Sequence, residues 1–469
     1  MLERLGAQRR AFIASQPEAA AARIDRIDRA LALLVDNQHR LADSMSEDFG
    51  NRSIAVSRFS DIMGSVASLK HARKHVKTWM KPERRPLEFP LGLLGARGWV
   101  EYQPKGVAGI IAPWNFPVAM VFQPLAGALA AGCRAMIKPS EFTPATSALM
   151  KELVAAAFAA DEIAVFTGGP EVGKAFASLP FDHLLFTGAT EIGRHVMRAA
   201  AENLVPVTLE LGGKSPVIIG RSADIDKAAD RIAIGKLMNA GQICLAPDYL
   251  LVPREKEGAI AERLAAKAAA MYPRLADNPD YTAIVNARHR ERLEGYLADA
   301  RAKGADIHVV NPAGEDLSAA NANKMPLHIL RHVSDEMKVM REEIFGPLLP
   351  LMGYDKIDDA IAYVNARPRP LGLYYFGADA AEERQVLGRT TSGGVTLGDV
   401  LFHVAQEDLP FGGIGPSGMG AYHGREGFAT FSHARAVYRQ TSFDLMALLG
   451  ARPPYGKALA RSLALRIKK

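Results

Sequence analysis

Val107-Ala-Gly-Ile-Ile-Ala-Pro-Trp-Asn-Phe-Pro117 decides the fold. It opens a stretch, 107 to 133, that carries no charge, long enough to span a bilayer on length alone. Pro113, Pro117 and Pro124, with Asn115 and Gln123, cut it into short pieces, so a buried strand, a turn and a core helix explain it better than a membrane span. The same alternation repeats downstream. Short apolar runs at Arg134–Ile137, Ile163–Phe166, His183–Phe186 and Val205–Leu209 are separated by helical segments, including Ser147–Ala160 and Glu191–Asn203. That rhythm marks βαβ units and a mostly parallel sheet covered on both faces.

Each run ends in polar residues: Trp114-Asn115, Lys138-Pro-Ser-Glu141, Thr167-Gly-Gly169, Thr187-Gly188 and Glu210-Leu-Gly-Gly213. Parallel sheets bind ligands beyond the carboxyl ends of their strands, so these five ends predict one composite site. Upstream, residues 1 to about 80 read as helical, and 86 to 103 as extended. From about 215 the rhythm restarts and predicts a second α/β domain, through Pro216–Ile219, a helix Ile225–Gly241, Tyr249–Val252 and on to 371–377. Ala436-Val-Tyr438 is strand-like and positioned to pair with the 98–103 segment.

The bulk composition of the 469 residues, 48% hydrophobic and 23% charged, is that of an ordinary globular chain of two to four domains. The net charge of 57 − 51 = +6 equals the six basic residues after Asp444 (Arg452, Lys457, Arg461, Arg466, Lys468 and Lys469), so the body is balanced and no nucleic-acid partner is expected. The tail reads as a solvated extension, although Leu459, Leu463 and Ile467 share one helical face. Two cysteines, Cys133 and Cys244, exclude a disulfide scaffold and a four-cysteine zinc site, and fit a reducing compartment. No secretory pattern opens the chain, and a cytoplasmic location is the expectation.

Two glycine patterns lack the context that gives them meaning. Gly168–Lys174 is followed by Ala175 where a phosphate loop needs a hydroxyl, and Gly413–Gly418 does not follow a buried strand. Thr187-Gly-Ala-Thr-Glu-Ile-Gly193 follows an apolar strand and opens a helix, which suits a dinucleotide phosphate. Cys244, in Asn239-Ala-Gly-Gln-Ile-Cys244, is the nucleophile candidate, whereas Cys133 reads as core. Glu210, between two leucines, is either a general base with a raised pKa or a structural carboxylate bonded to the Gly212 and Gly213 amides.

Leu209-Glu-Leu-Gly-Gly213 followed by Gly241-Gln-Ile-Cys244 resembles the paired motifs of the NAD(P)-dependent aldehyde dehydrogenase superfamily. Pro113-Trp-Asn-Phe-Pro117, Lys138-Pro-Ser-Glu141, Phe186-Thr-Gly188, Glu343-Ile-Phe-Gly-Pro347 and Pro410-Phe-Gly-Gly413 follow in that family's order, over about 100 to 440. Cys244-Leu-Ala-Pro-Asp-Tyr249 and Arg367-Pro-Arg-Pro370 look like the class 3 branch. His403–Phe411 and Arg452–Lys457 look like the members that oxidise coniferyl aldehyde.

The resemblance implies a Rossmann-like cofactor domain (1–85 and 104–211), an α/β catalytic domain (212–424), bridging strands for oligomerisation (86–103 and 425–445) and a basic tail (446–469). It implies Cys244 as nucleophile, Asn115 as oxyanion donor and Glu210 as base for hydrolysis. Lys138 and Glu141 would hold the adenosine ribose and Glu343 the nicotinamide ribose. Trp114, Phe345 and Gly188 would lie against the cofactor. NAD is expected over NADP, because Glu141 would repel a 2′-phosphate. The implied substrate is an aromatic, coniferyl-type aldehyde, with medium- or long-chain aliphatic aldehydes as the alternative. The implied assembly is a homodimer, and no metal is implied. Trp114, Phe345 and Phe411 are candidates for an aromatic funnel. Gly398 departs from the asparagine of many relatives.

Overall fold

The computed structural model describes residues 1–89, 91–318, 323–448 and 450–467, without the side chains of 445 and 448. Lys468 and Lys469 of the basic tail lie outside the described residues. Three sheets organise the chain. The first has the order Gly418–Met419, Val207–Leu211, His183–Gly188, Val107–Ile111, Arg134–Lys138, Ile163–Val165. Its last five strands are parallel, and the short Gly418–Met419 strand closes one edge antiparallel. The chain begins at the centre with Val107–Ile111, winds outward to Ile163–Val165, then returns to the other side. The switch point is therefore between Val107–Ile111 and His183–Gly188, where such sheets open a crevice.

The chargeless stretch resolves as the sequence predicts. Val107–Ile111 is buried throughout, and Ala119–Ala131 is a core helix that tolerates Pro124 within it. The helix is apolar on all sides because it is enclosed on all sides, packed by Ile27, Leu34, Leu69 and Phe428 among others. Among the described residues no helix is long and apolar enough to cross a membrane.

The second sheet has seven strands, with Asp306–Val310 antiparallel at one edge and the other six parallel. The third joins Glu83–Arg85, Arg97–Pro104 and Ser432–Arg439. Here the expected pairing is present, with Val437 opposite Trp99 and Ala436 opposite Val100. Between the first two strands of this sheet, residues 91–95 form turns rather than continuous extended chain. Phe411, Tyr422, Phe428 and Phe431 pack into the core that also holds the helix Ala119–Ala131, so the chain from about 411 to 431 is built against the first sheet.

Candidate active site

Sheet register alone brings three of the candidates, Lys138, Glu210 and Gly188, to one edge. Lys138, Ile111, Phe186 and Leu209 are consecutive partners across four strands, and Thr187 opposite Glu210 forms the next row outward. The expected strand ends thus converge beyond one lip of the sheet. The turn after Val107–Ile111 brings Trp114 and Asn115 to the same place.

Cys244 reaches the site from the second α/β layer. The preceding helix ends at Leu237, four residues before the sequence pattern suggests, because Asn239, Ala240 and Gly241 have φ of 49°, 52° and 73°. Three successive left-handed residues are strained for Asn and Ala. The turn is held by hydrogen bonds instead. Gln242 Nε2 donates to the carbonyls of Asn239 and Ala283 at 3.0 Å, and its Oε1 accepts from the Val285 amide. Asn239 Nδ2 donates to the carbonyls of Asn115 and Gln242, both at 3.2 Å. The Asn115 side-chain amide donates to the same Gln242 carbonyl at 3.1 Å, which ties the Asn115 turn to the chain two residues before Cys244.

The electrostatics are unusual. Glu210 is 1% exposed, and neither carboxylate oxygen has a hydrogen bond of ordinary geometry. Burial, then repulsion from Glu343, raise its pKa to about 8, while contact with the Cys244 thiol works the other way. The alternative of a carboxylate bonded to the Gly212–Gly213 amides falls to Glu343, which accepts from the Gly213 amide. A Cβ at Gly212 would stand 2.0 Å from Glu343 Oε2, so any larger residue there would displace the Glu343 carboxyl. Glu343 is likewise pushed up to about 8, mainly by burial. The half-buried Cys244 thiol is raised well above its ordinary value by burial and by both glutamates, against its own backbone N–H. Cys133 is buried, as expected of a core thiol.

Sequence reasoning missed the residues that hold this arrangement, because their partners are far away in the chain. Arg292 donates to the carbonyls of Glu343, Ile344 and Phe345 at 3.3, 2.8 and 3.3 Å, gripping a turn in which Phe345 has φ 49°. Lys214 bonds Asp248 and the Val339 and Glu342 carbonyls on the other flank. Arg52, fully buried, pairs with Asp61 at 2.6 Å and donates to the Asn115 carbonyl at 2.8 Å. Lys236, also fully buried, has no hydrogen-bond partner for its ammonium, and burial draws its pKa down to about 8. An orphaned polar atom of this kind is visible only in the fold.

The expected aromatic funnel is not one surface. Trp114 and Phe345 meet edge to face at 5.3 Å, with His289 4.9 Å from Trp114. Phe411 lies elsewhere, buried against Tyr422 and His423, because the loop before it packs with the chain from 411 to 431.

The residues present suit a dinucleotide. Thr187 Oγ1 and Glu343 Oε1 are buried without hydrogen-bond partners, which fits a hydroxyl-rich ligand at the switch point. The helix Thr190–Ala201 begins at Ala189 with no side-chain cap, leaving its first amides free for an anion. Lys138 Nζ contacts Glu141 Oε2 at 2.8 Å, so these two form a ready-made pair at the end of the neighbouring strand.

Residues 6–437 match the aldehyde dehydrogenase family. The chain belongs to that family. It is similar to a Caulobacter vibrioides protein named "Probable coniferyl aldehyde dehydrogenase", at 57% identity over 98% of this chain and 96% of the relative. A coniferyl aldehyde dehydrogenase of a Pseudomonas species is 52% identical over 97% and 94%. Among solved structures, the substrate-bound state of Staphylococcus aureus AldH superimposes with a TM-score of 0.91 at 36% identity, covering 99% of both chains. The protein is an aldehyde dehydrogenase, oxidising an aldehyde to a carboxylic acid with NAD(P).

Proposed function

We propose that Cys244 is the nucleophile of this reaction, Glu210 its general base and Asn115 its oxyanion donor. The observation that carries the assignment is a half-open thiol against a buried carboxylate that makes no hydrogen bond of ordinary geometry and touches that thiol. Burial makes this carboxyl a weaker acid, so its ionised form is a stronger base. In its ionised form Glu210 is within hydrogen-bond reach of the thiol, takes its proton and releases it to solvent before the hydrolytic step. The thiolate then adds to the aldehyde carbon to give a thiohemiacetal. The developing oxyanion is held by the Asn115 amide and the Cys244 backbone N–H. NAD(P) supplies one thing to this chemistry when bound, a hydride acceptor. The thioester that remains on Cys244 is hydrolysed by water that Glu210 deprotonates.

In this reading Lys138 and Glu141 hold the adenosine ribose, Glu343 the nicotinamide ribose, and Trp114, Phe345 and Gly188 lie against the cofactor. Glu141 favours NAD over NADP, since a 2′-phosphate would meet its carboxylate. The first sheet with its helices forms the cofactor domain and the second sheet the catalytic domain, and the strands of the third sheet join two copies in a homodimer. We place the protein in the cytoplasm, which agrees with its free cysteines.

The substrate in this reading is an aromatic aldehyde of the coniferyl type. Its support is identity above 50% along nearly the whole chain to relatives named for that substrate. Purified enzyme should show a kcat/KM for coniferyl aldehyde at least about tenfold above that for hexanal, the equivalent of about 1.4 kcal/mol. A ratio favouring hexanal assigns the scaffold to aliphatic aldehydes instead.

A further inference from the structure

Helix Gly64–Trp79 carries His71 and His75 one turn apart, on the face turned toward the loop that leads to Phe411. Asp408 of that loop completes a group of three ligand atoms that all lie within 4.8 Å of one another. It is the one such group of three His, Cys, Asp or Glu side chains among the described residues. We propose that His71, His75 and Asp408 bind a divalent transition metal ion of the zinc class, fastening this helix to the 406–411 loop.

Histidines at i and i+4 present their rings on one helix face, and here the ring centroids are 4.3 Å apart. His71 Nε2 is buried and makes no hydrogen bond, although it stands 3.4 Å from Asp408 Oδ1. Such a nitrogen beside a carboxylate is in the setting that an ion would complete. Two imidazoles and one carboxylate suit Zn²⁺, Co²⁺ or Ni²⁺ and leave a position for water. Metal–ligand bonds of about 2.0 to 2.2 Å require donor atoms roughly 3.4 Å apart. The Asp408 side chain, 87% exposed, is free to swing by the remaining distance.

The charges around His71 are mixed: Asp408 favours a cation there, while His75 and Lys74 oppose it. The adjoining Glu407 carboxyl is fixed by Ser68 Oγ at 2.5 Å, which holds the loop against the same helix. A Cβ at Gly424 would stand 2.0 Å from the Glu407 carbonyl and 3.5 Å from His71 Nε2, so the following turn is pressed against the same loop. An ion here would secure the segment that ends in Phe411, whose ring packs on Tyr422. Tyr422 in turn senses the charges of Glu210 and Cys244.

Cys244 is a competing ligand for any soft metal, so the test separates the two. Chelator-treated wild type, Cys244→Ser and His75→Gln chains are dialysed against micromolar Zn²⁺, and bound metal is counted by mass spectrometry. One equivalent is expected in wild type and in Cys244→Ser, and none in His75→Gln. The thermal midpoint should rise by a few degrees with Zn²⁺ in the first two chains only. With Co²⁺, absorption should lack a thiolate charge-transfer band. No metal bound by wild type, equal binding by His75→Gln, or binding lost in Cys244→Ser overturns the proposal. If His75→Gln fails to fold, the solvent-facing Asp408→Asn replaces it, with an expected loss of affinity of about tenfold.

Discussion

Arg52–Asp61 and Glu210–Glu343 are two buried charged systems within one fold, built in opposite ways. Asp61 is saturated: it takes Arg52 at 2.6 Å, the Val118 and Ala119 amides at 3.1 Å, and Ser60 Oγ at 3.3 Å. Through Arg52 it also fixes the Asn115 carbonyl. Glu210, at the same depth, has a second acid for a neighbour and no ordinary hydrogen bond. A saturated pair anchors backbone: burial pushes the Asp61 carboxyl up, and Arg52, the two amides and Ser60 work against that push. An unsatisfied acid anchors nothing, and its proton is available near neutral pH. The first system holds the turn that the second needs for chemistry.

The contrast breaks most visibly at the thiol. Cys244→Ala should lower turnover by at least about 10⁴-fold, with the folded state intact, since a half-buried cysteine is replaced by a smaller residue. Steady-state NADH production checks this, and turnover above one hundredth of wild type would remove Cys244 from the mechanism. Arg52→Leu comes next and works through stability. It leaves Asp61 charged and buried without its cation, at a cost of about 3–5 kcal/mol. The double change Arg52→Leu with Asp61→Asn should recover much of that loss in a denaturant titration. If the single change costs less than about 1 kcal/mol, the pair is not the anchor described.

Glu210→Gln should slow steady-state turnover by about 10²-fold or more. A stoichiometric NADH burst should remain, though formed more slowly because the thiol loses its base, since acyl-enzyme still accumulates when its hydrolysis is the slower step. In wild type the hydrolytic step should rise with pH up to about 8 and then level, and the glutamine chain should lose that rise. Stability supplies an independent sign. The folded carboxyl keeps its proton to about pH 8, whereas its ordinary value is 4.5, so the native chain loses stability as pH rises across that window. Glu210→Gln should flatten this slope and be the more stable chain at pH 9. A pH-independent difference between the two chains would assign the effect to packing.

How far the site was legible depended on whether its partners were local. Glu210, Lys138 and Gly188 end apolar runs that are regular strands, so their common edge followed from hydrophobic rhythm and the geometry of parallel sheets. Cys244 stands out by its glycine- and amide-rich turn, but the left-handed path of Asn239 and Ala240 does not, since Ala does not announce positive φ and a lone Asn signals at most one such residue. The charge on Arg52 looks in sequence like any helix surface charge, and only the fold reveals that it is buried. The two readings of Glu210 could not be separated either, because the answer lay with Glu343, which is 133 residues further on and takes the Gly213 amide instead. Phe411 was grouped with Trp114 on residue type alone, and the packing of the chain from 411 to 431 separates them.

Arg292 offers the finest test of the comparison, because it anchors as Arg52 does while touching the segment that carries Glu343. Its guanidinium spans three consecutive carbonyls in a turn with φ of 49° at Phe345. Such a backbone persists only where neighbours hold it. Arg292→Met keeps the length of the stem and removes the donors. Charge-assisted bonds of this kind are worth about 1.5–3 kcal/mol. Part of that loss should appear in cofactor binding, raising the KM for NAD about tenfold, equivalent to about 1.4 kcal/mol. The kcat should change less, since Cys244, Glu210 and Asn115 are held by other contacts. Arg292→Lys, with one compact charge, should recover little, because a single ammonium does not reproduce the planar fork that reaches three oxygens. A KM for NAD unchanged in Arg292→Met, alongside a lowered thermal midpoint, would make the arginine a stabiliser of the fold with no part in presenting Glu343 and Phe345.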